Sequence, residues 1–172
     1  MITGKPVLVI TGVWLAVSVG TSPMANADNS RLNNGVVGNV FTLQKQAGCS
    51  GAIKPNNALR LAAEWQANDV LTNRGLDSDL GSDGSTPQTR AAAAGFVGTV
   101  AQTVAINPAL AINNVDVINQ WFYDPRAYAI MTDCRNTAIG VWSLNSLDRS
   151  VVVAVYGQPG YLASPAEVSL AP

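Results

Sequence analysis

The sequence predicts an α+β fold, a sandwich in which a small antiparallel sheet lies between two helical layers. Helical spacing of apolar residues fills the first half of the chain, and the best strand signals come late, as a hairpin. The run Ser150–Gly157, "SVVVAVYG", is apolar at consecutive positions, so both faces of that strand must be covered.

Asp28 to Asn34 is polar and reads as a frayed lead-in, after which Asn33 or Asn34 caps a helix. That helix carries Val36, Val37, Val40, Phe41 and Leu43 and stops at Gly48. Pro55, Asn56 and Asn57 punctuate the chain before a second helix. It sets Leu59, Ala62, Ala63 and Gln66 on one line, with Leu61, Trp65 and Leu71 beside it, and ends by Gly75. Thr86 is a good N-cap and Pro87 a good first helical residue, so Gln88–Ala94 is a short helix closed by Gly95 in the left-handed position. A strand falls within 97–106. Asn113 or Asn114 caps a helix over 115–122 with Val115, Ile118, Trp121 and Phe122 facing inward, and Pro125–Met131 adds a short helical piece. Thr137–Leu144 and Arg149–Tyr156 form the hairpin, with Asn145–Asp148 as its loop.

Met1 to Ala27 has the pattern of a secretory leader. Lys5 precedes an uncharged run from Pro6 to Gly20, and Ala25-Asn26-Ala27 is a small-residue cleavage site. The run falls short of the ~20 residues that a membrane-spanning helix needs. Residues 28–172 then make one domain, expected to be monomeric, outside the cytoplasm and not integral to the membrane. The formal net charge is −1, and loss of Lys5 makes it one unit more negative. Without clustered Lys or Arg to displace counterions, nucleic acid and anionic membrane surfaces are excluded as partners. With 12% charged and 48% hydrophobic residues, the chain can bury a core and is not a disordered tail.

Cys49 and Cys134 are the only cysteines in a chain read as exported, so they are expected to pair. A disulfided cysteine is no nucleophile.

"GNVFTLQKQAGCSGAIKPNNALRLAAEWQANDVL", "GSDGSTPQTRAAAAGF", "INQWFYDPRAYAIM" and "TAIGVW" together resemble the CAP superfamily (cysteine-rich secretory, antigen 5 and pathogenesis-related proteins; SCP domains) in its bacterial exported form. The resemblance runs from about Val36 to Gly157. It implies an αβα sandwich and secretion. It also implies a cleft in which two His and acidic residues can hold a divalent metal. Carried onto this chain, those places are Asp79, Gln102 and Ala127. None is an imidazole, and Gln102 lacks the charge of the Glu it replaces, so the cleft is expected to be degenerate, with no metal or other cofactor.

The remaining chemistry is sparse. Asp77, Asp79 and Asp83 offer oxygen ligands, but Gly81, Ser82 and Gln88 stand where a calcium loop needs a ligand, the turn glycine and the bidentate acid. Turn chemistry explains these aspartates better. Ser82 and Ser85 have no histidine base in a chain with none, and Lys45 and Lys54 are the only lysines beyond Lys5. Glu64 with Asp79 or Asp83 would serve a glycosidase only if suitably spaced and buried. Trp65, Trp121 and Trp142, with Tyr123, Tyr128 and Tyr156, could line a lipid groove, although core packing accounts for the three Trp; Tyr123 and Tyr128 are the expected exposed pair. The function expected is therefore non-enzymatic binding of a lipid, a sterol or an envelope or host protein, through a cleft at Asp79, Asp83, Gln102 and Ala127. A carboxylate hydrolase at the same cleft is the alternative.

Overall fold

The computed structural model describes Met1 and residues 29–160. Apart from Met1, the expected leader lies outside the described residues. Five helices and four strands follow in the order α1 (Ser30–Gln46), β1 (Lys54–Pro55), α2 (Asn57–Thr72), α3 (Pro87–Ala93), β2 (Gly98–Asn107), α4 (Asn114–Phe122), α5 (Pro125–Thr132), β3 (Ala138–Ser146) and β4 (Arg149–Pro159). The sheet order is β1-β3-β4-β2. Strand β4 pairs antiparallel with β2 on one side and with β3 on the other, and every residue from Val151 to Tyr156 is fully buried.

Alternation along β4 explains the two layers. Val152, Ala154 and Tyr156 join the core under α1, α4 and α5, with Val36, Val40, Trp121 and Met131. Val151, Val153 and Val155 join the core under α2 and α3, with Leu59, Ala63, Val70 and Ala91. Successive side chains of a strand point to opposite faces, so an uninterrupted apolar strand requires helices on both.

Three side-chain helix caps form, of which Thr86 and Asn113 were expected and Asn56, read only as punctuation, was not. Asn56 accepts from the Leu59 amide, Thr86 forms a capping box with Thr89, and Asn113 accepts from Val115 and Asp116. Asp124 adds a fourth by accepting from Arg126 and Ala127. Gly95 takes a φ of +93°.

Several expectations are corrected. Helix α1 begins at Ser30, before the expected cap, because its polar start is tied to the sheet. Asn29 Nδ2 donates to the Ser143 carbonyl at 2.9 Å, and Ser143 Oγ donates to Asn33 Oδ1 at 2.7 Å. The sheet is mixed, since β1 pairs parallel with Ala138 and Ile139 of β3, a two-residue strand too short to leave a periodic signal. The hairpin turn is only Leu147–Asp148, with Asn145 and Ser146 still paired. On α4 the buried residues are Val117 and Trp121, while Val115 and Phe122 are exposed. Apolar residues stand on both sides of that helix, so spacing alone does not choose the face. Trp65 is 40% exposed on α2, leaving Trp121 as the tryptophan fully inside the core among the described residues. Tyr123 and Tyr128 are exposed as expected.

Cys49 and Cys134 form a disulfide with Cα atoms 5.2 Å apart, joining the exit of α1 to the segment after α5. Gln44, buried beside it, donates to the carbonyls of Asp133 and Asn136. No helix among the described residues is long and apolar enough to cross a membrane.

Candidate functional site

The loop between α2 and α3 is held from three sides. From α2, Asp69 accepts from the Ser82 amide at 2.6 Å and from Ser82 Oγ at 2.7 Å, and buried Gln66 donates to the Ser78 carbonyl. Within the loop, Asp83 Oδ1 accepts from the Ser85 amide at 2.8 Å, a local aspartate turn. From α3, Arg90 reaches back, donating to the carbonyl and hydroxyl of Ser85 and to the Asp79 carbonyl at 2.7 Å.

Around that guanidinium the expected cleft residues assemble. Arg90 also donates to Gln102 Oε1 at 3.1 Å, and Gln102 Nε2 reaches Asp79 Oδ1 at 3.4 Å. The other oxygen of Asp79 is paired with Arg126, the residue before Ala127 on α5. Asp79 and Gln102 thus touch, with Ala127 beside the partner of the first. Arg90, Gln102 and Ala127 are buried, so the inner part of the place is filled by protein, while the pair of half-buried Asp79 and exposed Arg126 forms its solvent-facing rim. Asp83 makes no hydrogen bond to Asp79 or Gln102; it lies on the other side of Arg90, lining an adjoining hollow of about 290 Å3 with Trp65, Asp69, Ser82 and Arg90.

The electrostatics suit a structural role for this network. Burial pushes the Arg90 guanidinium down from its ordinary value, against the attraction of Asp83, Asp79 and Asp69. Burial also raises the Asp69 carboxyl, but the two bonds from Ser82 and one from Asn73 outweigh it and leave the pKa below the usual carboxylate value. The Ser85 hydrogen bonds likewise lower Asp83. A carboxylate paired with Arg126, an amide clamped between Arg90 and Asp79, and a methyl do not make a tetrahedral nitrogen and oxygen donor set, so the residues present do not fit a zinc ion. Among the described residues, no three His, Cys, Asp or Glu side chains converge as metal ligands.

A larger hollow lies elsewhere, and the sequence reading missed it. A groove of about 660 Å3 runs along β3 from Ile139 to Leu144, between the starts of α1 and α2. It exists because β1 pairs with β3 only at Ala138 and Ile139: Lys54 N donates to the Thr137 carbonyl and Asn56 N to the Ile139 carbonyl, and the chain then turns into α2 at Asn57. Beyond Ile139, β3 has no strand on its β1 side among the described residues. Gly140 lets α2 come against the sheet, since a Cβ there would sit 2.0 Å from the Arg60 amide nitrogen. Glu64 lines this groove and is its one acidic residue, whereas Asp79 and Asp83 lie at the other sites, so the proposed carboxylate pairs are not brought together. The available signal was the density of asparagine at the starts of α1 and α2, which capping and turn preferences already explained.

Helices on both faces of a short sheet, a late antiparallel hairpin at its centre, and the meeting of the α2–α3 loop, β2 and α5 at Asp79, Gln102 and Arg126 define the architecture of a CAP domain. The family model described as "Cysteine-rich secretory protein family" matches residues 31–156, and the chain belongs to that family. Among solved structures, it is similar to an outer surface protein from Borrelia burgdorferi, with a TM-score of 0.67 and 18% identity over 77% of this chain and 96% of that one. An extracellular protein containing an SCP domain from Bacillus anthracis gives a TM-score of 0.60 and 13% identity over 80% of this chain and 45% of that one. NaASP2, described in its structure with Zn2+, gives 0.57 and 10% over 79% and 84%. At these identities the likeness is one of fold. No curated protein sequence matches the chain.

Proposed function

We propose that this chain is an exported CAP domain that acts by binding at the cell envelope or outside the cell, without catalysis. The observation that carries this reading is the closure of the family's cleft by its own side chains: Gln102 is clamped between Arg90 and Asp79, and Asp79 pairs with Arg126. A hydrolase needs a group free to take a proton, and each polar group here already serves a neighbour. Export is supported by the disulfide and by the extracellular or outer-surface descriptions of two structural neighbours. Binding is assigned to the groove along β3, whose volume lies within the range of small-molecule sites.

The test is turnover. The disulfide-bonded protein, residues 28–172, is incubated with chromogenic ester, glycoside and peptide substrates beside its Glu64→Gln and Asp79→Asn variants. All three are expected to give the same background rate. Turnover by the parent protein that disappears in either variant overturns the reading.

A further inference from the structure

We propose that the β3 groove is a binding site for a neutral oligosaccharide, an inference that rests on the binding reading above and names its ligand class. The lining is unusual in kind. Six asparagines, Asn29, Asn33, Asn34, Asn56, Asn57 and Asn68, face one hollow of about 660 Å3. A primary amide offers two donors and an acceptor, and a sugar hydroxyl is both donor and acceptor, so the two groups satisfy each other in either direction.

The structure keeps some of these amides at work and leaves capacity in others. Asn29 is occupied with Ser143 and Asn145, Asn33 Oδ1 accepts from Ser143, and Asn56 Oδ1 caps α2. Asn68 donates Nδ2 to the Glu64 carbonyl, which leaves its Oδ1 as an acceptor. Asn34, Asn57 and Asn68 are exposed to solvent. Trp142 also lines the groove, with the Arg60 guanidinium lying over its ring 5.2 Å from the centroid, so the amides and not the ring carry the recognition.

Competing ligand classes fit less well. Arg60 and Glu64 are the only charged residues lining the groove, one of each sign, so nothing selects a phosphate or another anion. An acyl chain laid against this wall would strip water from amides without replacing their hydrogen bonds. Strand addition by a peptide needs an open edge. Here Val141 and Ser143 are 4% and 2% exposed, and the Ser143 carbonyl already accepts from Asn29.

The experiment is calorimetric titration of the disulfide-bonded protein with a panel of neutral tetrasaccharides, β-1,4-linked glucose, β-1,4-linked N-acetylglucosamine and α-1,4-linked glucose. Phosphatidylcholine vesicles and an uncharged strand-forming peptide are the comparison ligands. Asn57→Ala and Asn68→Ala are the site variants, because neither residue caps a helix or ties the groove together, and Trp65→Phe on the outer part of α2 is the control. At least one tetrasaccharide is expected to bind, tenfold or more weakly in Asn57→Ala with Asn68→Ala and unchanged in Trp65→Phe. Saccharide binding that survives both asparagine changes, or no binding by any tetrasaccharide, overturns the assignment. Vesicle or peptide binding lost in those variants also overturns it, while leaving the binding reading intact. Mass spectrometry of the titrated sugar separates the two claims: cleavage products that disappear in Glu64→Gln would refute the non-catalytic reading and keep the saccharide site.

Discussion

Thr86 shows how much one side chain decides locally. Its hydroxyl accepts from the Thr89 amide, and Thr89 Oγ1 returns a bond from the Thr86 amide. Thr86→Ala is therefore expected to cost about 1 kcal/mol in a denaturant titration, and Thr86→Ser only a few tenths. A cap of this kind is legible in sequence because donor and acceptor lie three residues apart, and Asn113 was legible for the same reason. Asp69 was not. Its partner Ser82 lies 13 residues away across a loop, and nothing local points to it. Its consequence is a pH dependence. Because the folded pKa of Asp69 lies below the unfolded value near 4, its contribution is fully present above about pH 4 and is lost as pH falls through the folded value. Asp69→Asn is expected to lower stability at pH 7 and to flatten the loss of stability below pH 4. Equal acid sensitivity in both proteins would remove Asp69 from that account.

At the scale of elements, α2 meets the sheet at Gly140, where backbone approaches backbone. Gly140→Ala is expected to destabilise by about 3 kcal/mol or more, since the atoms its methyl would meet belong to the α2 main chain, where no side chain can turn aside. A shift of under 1 kcal/mol in the denaturant midpoint would contradict that packing. The strongest elements were readable because local signals sufficed: consecutive apolar residues for β4, helical spacing for α2, and a cap, a proline and a closing glycine for α3. The start of α1 and strand β1 were not readable. Asn29 and Asn33 stabilise α1 through Ser143, more than a hundred residues away, and β1 is two residues whose only credential is their partner in β3. Polar lead-ins and short edge strands are defined by tertiary neighbours, which a local reading does not contain.

For the whole molecule, the disulfide closes a sequence separation of 85 residues and ties α1 to the return into β3. In the chain-entropy account a loop of that length contributes between about 3 and 4.7 kcal/mol. Reduction is expected to lower the thermal midpoint by roughly 10 °C or more by calorimetry, and an unchanged midpoint would show that the bond carries no stability. That the places the resemblance implies for metal ligands, Asp79, Gln102 and Ala127, hold no histidine was visible residue by residue. What replaced them was not: Arg90 and Arg126 come from different helices, and only the fold brings them to Asp79 and Gln102. The β3 groove was hidden for a related reason, since it is made by the early end of one strand and the convergence of two helix starts on opposite faces of the sheet. The central claim, that the family's metal cleft is closed here by its own side chains, is tested most directly by titrating zinc into the disulfide-bonded protein in a calorimeter. The prediction is no saturable heat from the parent protein and none from Asp79→Ala. A one-to-one binding isotherm in the parent that is lost in Asp79→Ala would contradict it.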